Sequence, residues 1–458
     1  MSETFSYDEV RYPGHPFPQT HPERLATIAR LFGMNVPMPS ACRVLEIGCG
    51  DGGNLIPMAH ALPGSTFVGI DLSAAAIADA EELAKELGLT NITFQKADIL
   101  AFDVEPESFD YVISHGVYSW VPAPVREGLL ALARRALAPN GVAYVSYNAL
   151  PGGHIRRMVR EMLLFHVKSV SSPADRLDQA RAFLRFLIAS QKENDPWRAF
   201  LEREFEGTLR HGDALLYHDD LSEENEPVLF SDFAGRAARH GLKYLGEADF
   251  FEMGDLQYPE EVRRVLRSIP DIVGMEQLLD FVKCRRFRQT LLVRSDAKLV
   301  RDVDPMVLES FMVSSEAAPE EPNPSLASDV EVTFRAPRGG SVSTDLPFAK
   351  AALIALQERW PEAVPLPVVA ALAAEKLGRP LSPENLRKLY GVVLSLYATG
   401  VVSLWVEGPK LMPRPTERPR VSTLARLQAS RGPDVTSLRH VTIHLEDEVA
   451  RLVLCLLD

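Results

Sequence analysis

The segment Val44–Gly53, with the sequence VLEIGCGDGG, decides the fold of this chain. Its apolar half has the character of a short buried strand. The strand runs into a turn whose glycines, Gly48 and Gly50 among them, let the backbone approach a ligand closely. The acidic Glu46 precedes these glycines, where it would repel a pyrophosphate and suits a cationic amino group instead. A glycine pattern by itself is weak, so the residues downstream have to decide which ligand it serves.

Two further acidic residues lie at the ends of the next two predicted strands. Asp71, beside Leu72, lies where a carboxylate can accept hydrogen bonds from both hydroxyls of a ribose. Asp98 is placed to bind an adenine amino group, with Ile99 packed on the ring. Because the carboxyl ends of parallel strands meet at the edge where ligands bind, the three carboxylates should share one site. Together they favour S-adenosylmethionine (SAM) over NAD as the cofactor.

Strands and helices alternate along the first part of the chain, which indicates a parallel sheet with helices on both faces. The predicted strands are Arg43–Ile47, Thr66–Asp71, Ile92–Lys96, Phe109–Ser114, Val142–Tyr147, Lys243–Phe251 and Arg288–Arg294. We therefore predict an α/β fold with a Rossmann-like class I methyltransferase core, whose sheet is seven-stranded and mostly parallel.

Changes in pattern along the chain suggest how it is divided. Apolar residues recur at helical spacing after the fifth strand, and Ser314–Asp329 has the Pro, Glu, Ala and Ser content of a linker. Three predicted helices and a strand near the end are typical of a winged helix. The expected parts are an aromatic lid arm at 1–24, a SAM-binding core at 25–154, a helical insertion at 155–226, the last two core strands with their helices at 227–298, a linker at 299–330 and a winged-helix-like α+β domain at 331–458.

Composition limits the classes of partner. The chain has 458 residues, enough for two or three domains, and a net charge of −13 whose acidic excess lies before residue 331. Acidic surfaces repel phosphate backbones, so no nucleic-acid partner is expected. The four cysteines lack the spacing of metal ligands, so no metal is expected either. No signal peptide or membrane-spanning apolar run is recognisable, which predicts a cytoplasmic location.

The fourth and fifth strands end in residues that would face the transferred methyl group. After the fourth, His115 is a candidate base or a structural histidine, and the Asn/Asp-Pro-Pro-Tyr tetrad used on nucleobase amines is missing, which argues against DNA as the acceptor. Tyr118 and Trp120 are candidates to line a channel for an aliphatic amine and a sulfonium, or else to fill the core. After the fifth, Asn148 and His154 are candidates to face the acceptor, with a role in the turn as the alternative.

Residues 7–25, YDEVRYPGHPFPQTHPERL, add a more specific signal. This arm resembles the start of bacterial methyltransferases that carry a methyltransferase regulatory domain, a family best known from the rickettsial outer-membrane-protein lysine methyltransferases. The resemblance covers nearly the whole chain. Its further segments are Gly52–Pro57, His115–Pro122, Tyr147–Asn148, Glu224–Val228 with Phe233, His240–Leu245 and Phe287–Leu291.

The resemblance implies a class I core, a helical middle domain and a C-terminal winged-helix-like domain, the latter two holding the protein substrate in lysine-modifying members. It implies that the N-terminal arm closes over SAM, which makes Tyr7 and Tyr12 candidate lid residues, and it places Asn54 with the cofactor. One departure concerns Gly153. Family members commonly have an aromatic residue here, before the histidine of the Pro-Gly-x-His turn, so this chain has room for a changed acceptor pocket.

Three functions remain open at this point. The leading hypothesis is methyl transfer from SAM to a protein or peptide nucleophile, above all a lysine amine. Its pKa of about 10.4 must be lowered by desolvation before it can attack, and no dedicated base is then required. The alternatives are a biosynthetic O- or N-methyltransferase acting on a small molecule or a ribosomally made peptide, and a SAM-binding regulator whose winged helix binds DNA. The acidic charge argues against the last.

Overall fold

The computed structural model describes residues 12, 14–222, 224–255, 257–337, 340–411 and 414–457. Its central feature is a sheet of seven strands: β1 (Arg43–Ile47), β2 (Thr66–Asp71), β3 (Ile92–Lys96), β4 (Phe109–Ser114), β5 (Leu137–Asn148), β6 (Leu242–Glu247) and β7 (Phe287–Arg294). Their order is β3-β2-β1-β4-β5-β7-β6. The first five strands pair in parallel, whereas β7 runs antiparallel to both β5 and β6. The predicted Rossmann-like class I fold is confirmed.

Strands β5 and β6 differ from the predicted bounds. β5 begins at Leu137 rather than Val142, because Leu137 already pairs with Phe109 before a bulge, and the segment expected as a turn continues the strand. β6 ends at Glu247 rather than Phe251, because a turn of 3-10 helix follows at Phe250–Met253. The ends of β1 to β4, which carry the candidate cofactor residues, are as predicted.

Helices cover both faces of the sheet. Successive side chains of a strand point to opposite faces and pack into the core on that face. Val44 and Tyr111 pack on one face, whereas Leu45 and Val112 pack on the other. Among the described residues no helix is both long and apolar enough to span a membrane. In chain order the described helices of at least seven residues up to the end of the sheet are α1 (Pro22–Leu31), α2 (Leu55–Ala61), α3 (Ala74–Glu86), α4 (Ala123–Ala136), α5 (Gly153–Val167), α6 (Pro173–Ala189), α7 (Pro196–Arg210), α8 (Phe230–Arg239), α9 (Glu260–Arg267) and α10 (Ile272–Lys283). The short helical turns Asp213–Leu215 and Leu216–Asp220 follow α7.

Helices α5 to α7 form the region inserted between β5 and β6. They bury a small core of their own, in which Leu163, Leu184 and Phe205 are fully buried. The insertion leaves the sheet after β5 and returns beside it, because Ala149 and Val228 form a parallel bridge. A separate helical layer is thereby held over the carboxyl end of the sheet.

The C-terminal part is an α+β assembly of short strands and five helices. Its strands are β8 (Met312–Ser314), β9 (Ala318–Pro319), β10 (Val332–Arg335), β11 (Ser341–Thr344), β12 (Val364–Pro365), β13 (Ser403–Trp405), β14 (Asp434–Thr436) and β15 (Thr442–His444), and its helices are α11 (Pro347–Arg359), α12 (Leu366–Leu377), α13 (Pro383–Ala398), α14 (Thr423–Arg431) and α15 (Glu448–Leu456). β8 pairs with β12 and β13, and Val313 is fully buried. Residues 312–314 therefore belong to this assembly, within the range expected as a linker. The winged-helix-like character of this part stays a prediction.

Helix α1 joins this C-terminal part to the sheet. Glu23 on α1 is buried, and its carboxylate accepts hydrogen bonds from the backbone N–H groups of Val406 and Glu407 just after β13. Glu407 in turn accepts from the Ser40 hydroxyl at 2.5 Å. Since a buried carboxylate requires such donors, this contact ties the two parts together firmly.

Candidate active site

A cavity of about 1220 Å³ opens at the carboxyl ends of β1, β2 and β4 and continues under the insertion. Such a volume exceeds the ~300–1,000 Å³ usual for a single ligand pocket, so it has room for a cofactor and part of an acceptor. The sequence-predicted residues that line it are Tyr12, Glu46, Gly48, Gly50, Asn54, Asp71, Leu72, Asp98, Ile99, His115, Trp120 and Asn148. Tyr7 lies outside the described residues.

The glycine-rich turn after β1 forms the floor of this cavity. Gly48 and Gly50 have φ values of 77° and 54°, a left-handed backbone that favours glycine. The Gly48 N–H donates to the carbonyl of Ile70 at 2.8 Å. The Gly50 N–H donates to Asp71 Oδ2 at 2.9 Å, so the turn is held against the end of β2.

The carboxylates that follow β2 and β3 are each fixed by the backbone. Asp71 Oδ1 accepts from the Ser73 N–H at 2.9 Å, in addition to the bond that its other oxygen receives from Gly50. Asp98 Oδ1 accepts from the Leu100 N–H at 2.9 Å. Both side chains line the cavity, where their contacts with a ribose and an adenine stay a prediction.

Glu46 is a deeply buried carboxylate of the cavity lining. Oε1 accepts from Asn54 Nδ2 at 2.6 Å, whereas Oε2 is buried and has no hydrogen-bond partner in the described part of the chain. Burial raises the pKa of Glu46 to about 8, and neighbouring Asp71 adds to the shift. A buried oxygen without a donor is costly, so this site fits a cationic group that supplies one.

The N-terminal arm packs across the glycine-rich turn. The Gly14 N–H donates to Asp51 Oδ2 at 3.2 Å, and a side chain on Gly53 would collide with the Gly14 backbone. The Phe17 ring lies 4.0 Å from that of His115, and both line the cavity. Tyr12, the lid candidate that the structure describes, lies with its ring 5.8 Å from that of His218 in the insertion.

His115 stays uncharged at neutral pH. Its Nδ1 lies 2.9 Å from the Tyr144 hydroxyl. Burial lowers the pKa of His115 to about 4, so the ring is the neutral imidazole at physiological pH. This geometry favours a structural role for His115 over a role as a base. The ring also lines the cavity.

Tyr118 does not line the cavity, which corrects its assignment as a channel residue. Its side chain is fully buried and packs at 5.1 Å from the Phe233 ring and 5.8 Å from the Tyr147 ring. These aromatic contacts place it in the core on one face of the sheet. Trp120, two residues later on the same 3-10 turn, does face the cavity. His154 is exposed and lies outside the cavity lining.

The acceptor end of the cavity lies between Trp120, Asn148 and the inserted helices. Asn148 is 8 % exposed, and its Nδ2 is buried with no hydrogen-bond partner among the residues described. Phe287, at the start of β7, lines the same space. The insertion contributes Asp219 and Asp220, both of which pair with Arg156 at 3.6 and 3.3 Å.

The inserted residues were not among the sequence-predicted site residues. Charged residues on helices are usually solvated, and their local pattern gives no sign that they face a cavity. The family resemblance of Glu224–Val228 was the available signal, because Glu224 and Asn225 line the cavity. Within the described ranges no group of three or more His, Cys, Asp and Glu side chains is arranged to hold a metal.

Comparison with known proteins agrees with this geometry. Residues 39–193 match the family model described as "Methyltransferase domain", and residues 212–294 match "Predicted methyltransferase regulatory domain". An uncharacterised protein of Rickettsia prowazekii, RP789, is 34 % identical over 445 residues, covering 95 % of this chain and 80 % of its own length.

The solved structure of PKMT2 from Rickettsia typhi is similar over 98 % of this chain and 89 % of its own, with a TM-score of 0.89 and 31 % identity. The same protein in complex with AdoHcy, the product that SAM leaves after methyl transfer, gives a TM-score of 0.89. The similarity therefore includes the insertion and the C-terminal part as well as the sheet.

Proposed function

We propose that this chain, which belongs to the family of SAM-dependent methyltransferases with a methyltransferase regulatory domain that includes rickettsial PKMT2, methylates lysine side chains of a protein substrate. The chain is a SAM-dependent methyltransferase, and SAM is its cofactor. The proposal concerns the acceptor and the roles of individual residues.

In the proposed cofactor site, the amino group, the ribose and the adenine of SAM each meet one acidic residue. Glu46 would hold the amino group of the methionine part, because no described residue donates a hydrogen bond to its buried Oε2. Asp71 would accept from the ribose hydroxyls and Asp98 from the adenine amino group, with Ile99 against the ring. Tyr12 and Phe17 of the arm would cover the bound cofactor.

The observation that carries the lysine acceptor is the extent of the likeness to PKMT2, a protein-lysine methyltransferase. It covers 98 % of this chain, so it includes the helices that line the acceptor end. The alternative acceptor, a small molecule, has no comparable support.

The acceptor end has the chemistry that a lysine amine needs. SAM, when bound, supplies a sulfonium methyl group, and its transfer to the lone pair of a neutral amine leaves AdoHcy. Trp120 and Phe287 would surround the aliphatic chain and exclude water, which lowers the pKa of the amine. Asp219 and Asp220 would attract the ammonium form before it loses its proton to solvent. Held in line with the methyl group, the amine then requires no base from the protein.

A methylation experiment on whole proteomes tests the proposal. Bacterial lysate proteins would be incubated with the intact enzyme and SAM carrying a trideuterated methyl group, then digested and analysed by mass spectrometry. Heavy methyl groups on lysines of a small set of proteins are expected, and the Asp71→Ala variant serves as the inactive control. Heavy methyl on metabolites or on other side chains, with none on lysine, would refute the lysine acceptor.

A further inference from the structure

The hairpin β14–β15, near the end of the chain, reaches the cofactor end of the cavity. His440 lies in its turn with a left-handed φ of 57° and is 6 % exposed. Its Nε2 lies 2.9 Å from Oδ1 of Asn54, a contact between residues 386 positions apart. Asn54 follows the glycine-rich turn directly and contacts Glu46. The last part of the chain therefore touches the partner of the carboxylate assigned to the amino group of SAM.

The amide of Asn54 makes every hydrogen bond that its atoms allow. Nδ2 donates to Glu46 Oε1 at 2.6 Å and to Thr20 Oγ1 at 3.0 Å. Oδ1 accepts from the Phe17 N–H at 2.9 Å and faces His440 Nε2. The Thr20 hydroxyl donates its own hydrogen bond to the Phe17 carbonyl at 2.8 Å. An asparagine amide has two hydrogens and two lone pairs to use, and here all four are engaged.

This count fixes the chemistry of the His440 ring. A backbone N–H can act only as a donor, so the Asn54 atom that faces Phe17 is the carbonyl oxygen. His440 must then donate to the same oxygen, which requires the tautomer with hydrogen on Nε2. Burial, together with the nearby His21 ring, lowers the pKa of His440 well below its ordinary value. The ring is therefore neutral and carries one N–H, which points at Asn54.

The turn that carries His440 is itself held in place. The neighbouring Arg439 guanidinium lies 3.9 Å from the centroid of the Trp360 ring and donates to the Pro361 carbonyl at 2.8 Å. The His440 ring lies 5.3 Å from that of His21, at the start of α1. Both the C-terminal part and the N-terminal arm thus orient the ring, which has little freedom to leave Asn54.

We propose that His440 is a positioning residue for the amino-acid end of SAM, acting through Asn54 to hold the carboxylate of Glu46. Without the His440 donor, Oδ1 keeps one of its two hydrogen bonds, so the amide can turn and Glu46 loses its fixed partner. The cofactor site of the sheet is then complete only when the C-terminal hairpin is docked. This inference concerns the cofactor and does not depend on which acceptor receives the methyl group.

Two ligands separate this role from a general structural one. AdoHcy has the amino-acid end that Glu46 would bind, whereas 5′-methylthioadenosine has the same nucleoside and sulfur without it. Isothermal titration of the intact His440→Phe variant should show AdoHcy bound about tenfold more weakly, since a buried donor is lost. Binding of 5′-methylthioadenosine should stay within about twofold. His440→Gln, whose amide N–H can reach the position of Nε2, should restore AdoHcy affinity to within about threefold.

His444→Phe is the matched control, because His444 lies on β15 of the same hairpin, is exposed and pairs with Asp434 instead. It should bind both ligands as the unchanged protein does. Equal weakening of both ligands in His440→Phe, or no weakening of AdoHcy, would overturn the proposal. If His440→Phe does not fold, His440→Asn replaces it. The shorter asparagine amide cannot reach Asn54, so His440→Asn should weaken the binding of AdoHcy but not of 5′-methylthioadenosine, whereas His440→Gln should bind both normally. Equal AdoHcy affinities of the asparagine and glutamine variants would also refute the inference.

Discussion

The two ends of the cavity are built in different ways. The cofactor end uses backbone N–H groups and short carboxylates at the ends of strands, as in the bond from the Gly50 N–H to Asp71. The acceptor end uses long side chains on helices of the insertion, held by ion pairs such as Arg156 with Asp220 and Arg286 with Glu204 at 2.7 Å. Strand ends are fixed by the sheet, whereas long paired side chains can exchange partners.

We infer from this difference that the cofactor binds at the end formed by the strands and that the end formed by the insertion selects the acceptor. Substitutions of the acidic residues at the ends of β1 to β3 should therefore weaken AdoHcy binding, and substitutions of residues that face the insertion should change methyl transfer alone. Variants at five positions test this division, and Asp71→Ala, Glu46→Gln, Asn148→Ala and Tyr118→Phe follow in order of decreasing expected effect.

Asp71→Ala should have the largest effect. It removes both acceptors that hold Gly50 and Ser73, as well as the proposed ribose contacts, so AdoHcy affinity should fall on the order of 100-fold by isothermal titration. Asp71→Asn keeps one acceptor oxygen and should lose about tenfold. A loss of less than threefold in the alanine variant, with its fold intact by circular dichroism, would contradict the role given to this end.

Glu46→Gln should come next and should remove a pH dependence. Burial raises the pKa of Glu46 to about 8 in the ligand-free site, and a bound cationic amine favours the ionised form. Protons therefore leave on binding, so AdoHcy affinity should rise by up to about tenfold per pH unit as pH increases toward 8. Above that, Glu46 is already ionised in the ligand-free site, so the rise in affinity should level off.

The pH series would be measured by titration calorimetry from acidic to mildly alkaline conditions. The glutamine variant should bind AdoHcy about tenfold more weakly at pH 7.5. Its AdoHcy affinity should not rise between acidic pH and pH 8, because a glutamine side chain does not titrate. 5′-Methylthioadenosine, which lacks the amine, serves as the control ligand and should bind with a flat profile. A flat AdoHcy profile in the unchanged enzyme over the same range would show that Glu46 does not meet the amine.

Asn148→Ala tests the acceptor end. Asn148 Nδ2 has no hydrogen-bond partner within the described ranges, so an acceptor atom of the substrate is expected to meet it. The variant should lower kcat/KM for methyl transfer about fivefold, whereas the Kd for AdoHcy should stay within about twofold. The rate would be measured as the formation of AdoHcy from SAM, with the acceptor found in the proteome experiment as the substrate. Weaker AdoHcy binding with unchanged turnover would reverse the assignment of the two ends.

Tyr118→Phe should have the smallest effect, because the hydroxyl is buried and faces the core rather than the cavity. Activity should stay within about twofold, and the free energy of unfolding should change by no more than about 1 kcal/mol in urea titrations. Trp120→Ala, from the same turn, should lower kcat/KM about tenfold. Loss of activity in the phenylalanine variant with normal stability would restore Tyr118 as a site residue.

The same division explains how much the sequence could predict. Buried parallel strands have continuous apolar sequences, and here glycine or acidic residues follow them. Local spacing was therefore enough to predict the bounds of β1 to β4 and to identify Glu46, Asp71 and Asp98. Tyr118 and Trp120 show the limit. They lie two residues apart on one 3-10 turn, and the composition of that turn does not say which ring faces the core.

Long-range contacts had no local signal at all. His440 meets Asn54 across 386 positions, and the three-residue strands of its hairpin are too short to form a recognisable alternation. Asp219 and Asp220 have the charge of an ordinary solvated surface, although the fold of the insertion makes them part of the cavity lining. The family resemblance implied that the middle and C-terminal domains hold a protein substrate, but it did not predict a contact between the C-terminal part and Asn54.

The bridge between Ala149 and Val228 has an evolutionary consequence. It brings the two ends of the insertion side by side, with the Val228 N–H donating to the Asn148 carbonyl at 3.0 Å and the Leu150 N–H donating to the Val228 carbonyl at 2.9 Å. Residues 150–227 can therefore diverge, lengthen or be exchanged between relatives without changing the register of the sheet. A lineage can in this way inherit its methyl donor unchanged while it acquires new targets.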